Sequence, residues 1–449
     1  MDDEGAGEEV EGGPEDGTGR ILAAFHYRNF SLVWSAALLS STGSYLQSLT
    51  VPVVVYQITG SGLWLGLAGF LAFFPMVFVA PLAGTLSDRF SRRSMLLVVS
   101  CAQFVITTIL WLVWVAGWRS IGVILVLLTV SAIAGGFQAP TFQAFVSELV
   151  PRRHLLNAVT LISAQFNAAR AFGPALGGIV LATLGPSWCF FLNALTFLVQ
   201  ALALGFVRLA PRIRAALDGR PRVVAEMMDA VRYVRTEPGI LGCLFLVFAI
   251  GMLGGPIAQL LVVFTEDVFG VSDAAYGLLA ACNGTGAILA VPIIAGPGTR
   301  LPRSTLITAA AFTLGTCVIV LGISPNIWVA GVALLFYGAA YFGMGSGLQT
   351  IIQMQVTEAM RGKAMALYVM VLTLGMPIGT LLEGWLVDVI GVQATVAGSG
   401  VLYLAFFTYL RFRTGLTAAM DDLSRGALSE EDRLAVAETQ AAEAAVDPI

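Results

Sequence analysis

Twelve apolar runs of about 20 residues or more leave this chain few folds to choose from. They are Phe30–Tyr56, Leu63–Leu86, Met95–Trp118, Ile121–Phe145, Leu155–Leu184, Trp188–Val207, Ile240–Phe264, Ala274–Ile294, Thr305–Ile323, Ile327–Gln353, Ala364–Val387 and Val392–Leu410. A helix of about 20 apolar residues, rising roughly 1.5 Å each, crosses the ~30 Å hydrocarbon core of a bilayer. Lipid offers no water to backbone N–H and C=O groups, so such runs must satisfy those groups internally, as helices. Composition points the same way: the 449 residues are 57% hydrophobic and 12% charged, where a soluble domain carries roughly 25% charge. The expected fold class is an all-α membrane protein of twelve spans.

Arginine sets the expected orientation. Arg20 and Arg28 precede the first run, Arg152 and Arg153 follow the fourth, and Arg208 to Arg235 hold seven arginines after the sixth. Arg300 and Arg303 follow the eighth, Arg361 and Lys363 the tenth, and Arg411 and Arg413 the twelfth, while the opposite loops hold Arg119 alone. Both termini are therefore expected in the cytoplasm, at the plasma membrane. The expected divisions are an acidic, disordered tail (1–27), a first six-helix bundle (28–209), a linker (210–238), a second bundle (239–413) and a soluble tail (414–449). Within the linker, Val223, Val224, Met227, Val231 and Val234 recur at helical spacing between charged residues, as in an amphipathic helix on the cytosolic face. In the last tail, Ser429 and Asp432 fit a helix cap before Leu434 to Ala445.

The two halves repeat at an offset of about 206 to 211 residues. Gly60, Gly66 and Leu67 match Gly270, Gly277 and Leu278, and Gly173, Gly178 and Gly185 match Gly379, Gly384 and Gly391. Two repeats with a site between them is a transporter layout.

Between the second and third runs lies Gly84-Thr85-Leu86-Ser87-Asp88-Arg89-Phe90-Ser91-Arg92-Arg93. It resembles the cytosolic loop motif of the major facilitator superfamily, with Ser91 where that motif has its second glycine. Arg28-Asn29-Phe30, Tyr56-Gln57-Ile58-Thr59-Gly60-Ser61, Ala139-Pro140-Thr141 and Asn167-Ala168-Ala169-Arg170-Ala171-Phe172-Gly173-Pro174 resemble the transmembrane secretion effector branch, which includes enterobactin and macrolide exporters. The resemblance covers about Arg28 to Arg413 and implies two pseudo-symmetric six-helix bundles working by alternating access.

The resemblance further implies that Gly84, Asp88, Arg89, Arg92 and Arg93 form a cytosolic gate, with Asp88 facing the start of the eleventh span near Arg361 to Ala364. A carboxylate there gains from the helix dipole and free N–H groups; the alternative is that these charges only set topology. The matching second-half loop, Gly296 to Leu301, lacks the acid. Gly173-Pro174-Ala175-Leu176-Gly177-Gly178 resembles the exporter motif G-P-x-x-G-G, in which Gly173, Pro174, Gly177 and Gly178 would let the helix bend and a neighbour approach; ordinary small-residue packing fits equally.

Arg170 falls about mid-span, where an arginine costs roughly 2.5 kcal/mol or more unless paired or hydrated. Asn167 and Gly173 share its helical face, expected to look into a central cavity. Its expected contacts are backbone carbonyls, Gln47, Gln138 or an anionic group on a substrate; a structural arginine is the alternative. Tyr45 and Tyr341, with Gln259, Asn283, Tyr337, Gln349 and Tyr368, add polar groups within the spans, and Met344 and Phe74 would suit a bulky organic ligand. Glu383 is a candidate for proton coupling, or it snorkels to the outer interface. Asp388, Glu266 and Asp267 are expected at the interface.

Absences narrow the function. There is no G-x-x-x-x-G-K-[ST] loop for ATP, and His26 and His154 both sit at span edges, away from any nucleophile or metal set. The five cysteines lie within apolar runs, as small core residues. The expected protein is no enzyme, holds no cofactor or metal and binds no nucleic acid. It is a monomeric secondary transporter in the bilayer, exporting a small amphipathic molecule (drug, antibiotic or siderophore) against protons. An uptake facilitator on the same fold, or a membrane sensor or scaffold, is the alternative.

Overall fold

A computed structural model of the chain describes residues 22–208, 223–271, 273–295, 302–413 and 418–421. Every regular element among the described residues is helical, as the lipid constraint demands. The long helices are α1 (Arg28–Thr59), α2 (Gly62–Arg89), α3 (Arg92–Val115), α4 (Ile121–Gly136), α5 (Gln138–Leu149), α6 (Leu155–Leu184) and α7 (Pro186–Phe206), then α8 (Val223–Thr236). The second half holds α9 (Pro238–Leu253), α10 (Ile257–Val263), α11 (Asp273–Ala295), α12 (Arg303–Gly322), α13 (Ile327–Gln355), α14 (Glu358–Ile390) and α15 (Val392–Arg413).

Ten segments of the described residues are long and apolar enough to cross a membrane. The first and fifth runs, α1 and α6, are 32 and 30 residues long. Their shortfall is in apolarity: α1 carries Ser40, Ser41, Thr42, Ser44 and Gln47, and α6 carries Asn157, Gln165, Asn167 and Arg170. Two runs read as continuous are broken. The fourth kinks at Phe137, because Pro140 cannot donate to the Gly136 carbonyl and its ring crowds that turn. The seventh breaks at Gly254-Gly255-Pro256 for the same reason, then ends in a π-helical turn over Phe264–Val268.

One face of α3 shows how the helices sort themselves. Leu96, Val99, Ile106 and Leu110 are buried, while Val98, Val105, Leu112 and Val115 are left exposed. In water that second face would be a liability; against acyl chains it costs nothing. Within the linker, α8 buries Ala230 and Val234 against α9 and α14 and places Asp229 3.6 Å from Lys363. Residues 1–21 of the acidic N-terminal tail and the proposed C-terminal helix lie outside the described residues; the tail's last part forms a 3-10 turn, Ala23–His26, with Ala24 buried.

Within the first half, α1 packs on α6 and α7, α3 on α7, and α2 on α4. Within the second, α9 packs on α14, α11 on α13, and α12 on α13 and α15. Two crossings join the halves most closely, α2 with α14 and α6 with α11. Both are made by glycine. A Cβ on Gly178 would land on the Gly277 backbone, and a Cβ on Gly66 would meet the Thr380 carbonyl and the Gly384 Cα. Gly66 matches Gly277 in the repeat and Gly178 matches Gly384, so the two crossings are counterparts. Backbone angles follow the same pairing: φ is +58° at Gly60 and +60° at Gly270, and +81° at Gly185 and +83° at Gly391. Those left-handed values favour glycine at each pair.

A Gly66→Leu substitution should destabilise the purified protein by about 1–3 kcal/mol through overpacking, read as a lower Tm. Gly398→Leu is the control, since a Cβ there meets nothing within 4 Å and should leave Tm unchanged.

Candidate functional site

Arg170 sits at the junction of the halves. It is half-buried, and its charge acts on Tyr45 of α1 and on Tyr337 and Tyr341 of α13. It forms no hydrogen bond or ion pair with any described residue. The expected partners are engaged elsewhere: the Gln47 carbonyl accepts from Asn193 Nδ2 at 2.7 Å, and Gln138 Nε2 donates to Gln200 Oε1 at 3.5 Å. Its neighbour Gly173 faces α1, since a Cβ there would meet Tyr45 at 2.5 Å. The shared face of Asn167, Arg170 and Gly173 is thus partly covered by the Tyr45 side chain. Gly177 continues that contact towards Leu46, and Gly178 supplies the crossing to α11. The helix runs unbroken through Pro174.

The break in the seventh run completes this centre. It frees the Gly254 carbonyl, which accepts from Tyr337 OH at 2.7 Å, and it places Gly254 beside the Tyr341 ring. Tyr337 is within electrostatic reach of Glu383 as well as Arg170. Glu383 does not snorkel: it is 1% exposed, accepts from Ser399 Oγ at 2.7 Å through Oε1, and leaves Oε2 without a partner among the described residues. A fully buried carboxyl holding one hydrogen bond is expensive as an anion and far cheaper as the neutral acid.

The end of the molecule where α2 begins and α14 finishes carries two polar ties that sequence reasoning left as interfacial charges. Asp388, near the end of α14, accepts from the first backbone N–H groups of α2, Gly62 N to Oδ1 at 2.6 Å and Leu63 N to Oδ2 at 3.0 Å. Ser61 Oγ donates to the same carboxylate at 2.6 Å. The second tie runs from Tyr56 OH at the end of α1 to Asp267 Oδ2 at 2.6 Å. A usable signal was present: Ser61 stands at the α2 N-cap without capping its own helix, and Asp388 follows Gly384 by one helical turn. Repeat arithmetic puts Ala182 in the matching position, so the α6–α11 crossing lacks this tie.

Beyond the C-terminal end of α2, Arg92 Nη1 donates to Glu148 Oε1 at 3.2 Å and to the Ala144 carbonyl at 3.0 Å. Arg93 donates to the Leu204 and Gly205 carbonyls, both at 2.7 Å, at the C-terminus of α7 where a cation favours the helix dipole. The side chains of Asp88 and Arg89 and the surroundings of Gly84 lie outside the described residues. The backbone places all three in the last turns of α2.

Arg170, without a hydrogen-bond or ion-pair partner among the described residues, and the buried Glu383 both act on Tyr337 of a helical membrane protein, beside a broken helix. Together these define a transporter of the major facilitator type. A family model described as the transmembrane secretion effector matches residues 20–442, and the chain belongs to that family. Macrolide efflux protein A of Streptococcus pyogenes is 22% identical over 394 residues, which is 84% of this chain and 95% of its own length. The multidrug resistance protein MdtG of Enterobacter lignolyticus (strain SCF1) is 24% identical over 406 residues, 87% of this chain and 94% of its own. Among solved structures, a bacterial homologue of the human lysosomal transporter Spinster, inward-facing and unoccupied, has a TM-score of 0.65 at 16% identity, covering 88% of this chain and 92% of that one. That likeness carries the fold alone. The relatives are transporters, and this chain is not an enzyme.

Replacing Asp388 by Ala leaves the α2 N-terminus uncapped at a cost of about 1 kcal/mol, so the α2–α14 crossing should part roughly fivefold more often. Maleimide labelling of Val387→Cys, which packs against Gly62, reads this directly; an unchanged rate would show that the tie does not hold the crossing.

Proposed function

We propose that this chain is a proton-coupled exporter of small amphipathic molecules, a drug, antibiotic or siderophore, working by alternating access. Its twelve spans form bundles 28–209 and 239–413 joined by the 210–238 linker, with both termini in the cytoplasm and the protein at the plasma membrane. A single observation carries the reading. Arg170 and Glu383 both bear on Tyr337, from α6 and α14, and these two helices carry Gly178 and Gly384, which make the crossings between the halves.

In this mechanism the substrate enters from the cytoplasm and reaches Arg170, Tyr45 and Tyr341. Asn167 lies one turn away on α6. Opening at the outer side parts Gly66 from Gly384 and Gly178 from Gly277. Outside water then reaches Glu383, which takes a proton as the substrate leaves and surrenders it once the chain faces inward again. The α2–α14 pair latches at either end. Asp388 on α14 caps α2 in the outward-closed form, and Asp88 on α2 caps α14 when the cytosolic side shuts, with Arg89, Arg92 and Arg93 bracing that end. The export direction draws on Gly173-Pro174-Ala175-Leu176-Gly177-Gly178 and on relatives named as efflux proteins.

Proteoliposomes with an imposed pH gradient test this, using a compound picked from a drug-accumulation panel in cells with and without the gene. The gradient should drive transport of the wild type. Glu383→Gln should lose gradient dependence yet still exchange the compound down its own gradient, and Arg170→Ala should slow transport at least tenfold. Flux indifferent to pH would favour a facilitator, and no flux with any compound would favour a sensor or scaffold.

A further inference from the structure

A separate cavity of about 290 Å³ lies inside the first half, walled by α1, α2, α3, α4 and α7 and roofed by Gln259 of α10. It is polar in an unusual way. Five carboxamides line it, Gln47, Gln103, Gln138, Asn193 and Gln259, with Ser44, Ser48 and Ser131, and among the described residues none that lines it carries a charge. Arg170 is not among them; α1 is the partition, with Tyr45 facing α6 and Ser44, Gln47 and Ser48 facing this cavity.

Polar groups at membrane depth are expensive, and a packed bundle has no need of five amides around a void. Some are paired: Asn193 with Gln47, and Gln103 with Ser131 through two hydrogen bonds of 2.9 and 2.7 Å. Each carboxamide has up to four hydrogen-bonding sites, so these pairs leave donors and acceptors to spare. Phe73, Phe197 and Met76 supply an apolar wall. The volume sits at the foot of the roughly 300–1,000 Å³ range of small-molecule pockets.

We propose that this cavity binds an uncharged organic group that offers both hydrogen-bonding atoms, such as hydroxyls or an amide, and an apolar face. An ammonium or carboxylate would shed its hydration here without a counter-charge, which amides do not repay. The cavity therefore selects against charge, and it deepens the exporter reading by naming the class of group its substrate carries. Gln259 comes from the second half, so the roof moves with that half when the seam opens. The amide of Gln259 lies against Gly69, where even a Cβ would displace it.

The test measures binding to purified full-length protein, so it is independent of pH-driven flux. Ala72→Cys, on the cavity wall, is labelled with a maleimide in a background lacking Cys101, Cys189, Cys243, Cys282 and Cys317. The probes are uncharged chloramphenicol, its cationic deacylated amine and its anionic hemisuccinate ester. Chloramphenicol should slow labelling at least tenfold and the two charged forms less than twofold. Gln47→Leu with Asn193→Leu removes one amide pair together and should abolish the protection. Should that pair fail to fold, Gly69→Leu fills the same space by displacing only the terminal amide of Gln259 and should have the same effect. Protection by a charged form equal to that by chloramphenicol, or protection by none of the three, overturns the proposal. Loss of gradient-driven flux with protection intact would instead overturn the exporter reading and leave the cavity standing.

Discussion

Two pairs of glycines, Gly66 with Gly384 and Gly178 with Gly277, let four helices from opposite halves touch backbone to backbone. In lipid there is no hydrophobic drive between helices, so close approach through small residues is what holds such crossings. The proposed functional residues lie on the helices that make them: Arg170 shares α6 with Gly178, Glu383 adjoins Gly384 on α14, and one wall of the amide cavity is α2, which carries Gly66. Because glycine contacts are shallow and carry no interlocking side chains, they suit a seal that must part repeatedly.

The polar ties around the seal are unequal. The α2–α14 crossing carries Asp388 across the α2 N-terminus, and the counterpart crossing has Ala182 instead. The sequence at the other end of α2 has the same bias, since Asp88 has no acidic counterpart in the loop after α11. Asp388 stands near the C-terminal end of α14 and accepts from the N-terminus of α2; Asp88 stands in the last turn of α2, with its side chain outside the described residues.

Much of this was legible in the sequence because it rests on period and spacing. Run lengths marked out the helices, ten of which are long and apolar enough to cross a membrane among the described residues, and the glycine offsets marked the repeat whose matched positions prove to be the crossings. Arg170 stood out by cost alone. What could not be read was direction around each helix. Gln47 and Gln138 lay in the right spans to meet Arg170, yet they face the amide cavity instead. Gln103 and Asn193 lie in the third and sixth runs, and only packing reveals that those helices border a void. Glu383 counted as near the surface, but Ser399 of α15 and the closed seam bury it. The helix break at Gly254 to Pro256 is written in its residues, though the carbonyl it hands to Tyr337 depends on a neighbour far along the chain.

Spin-label distances at the two faces test alternating access about the glycine seal most directly. In a cysteine-free background, Trp188→Cys with Trp328→Cys spans the halves outside, and Leu156→Cys with Met354→Cys spans them inside; all four positions are exposed. The two distances should change in opposite senses when the external pH is lowered or substrate is added, the outer pair lengthening as the inner pair shortens. Distances that stay fixed, or that lengthen together, would contradict it.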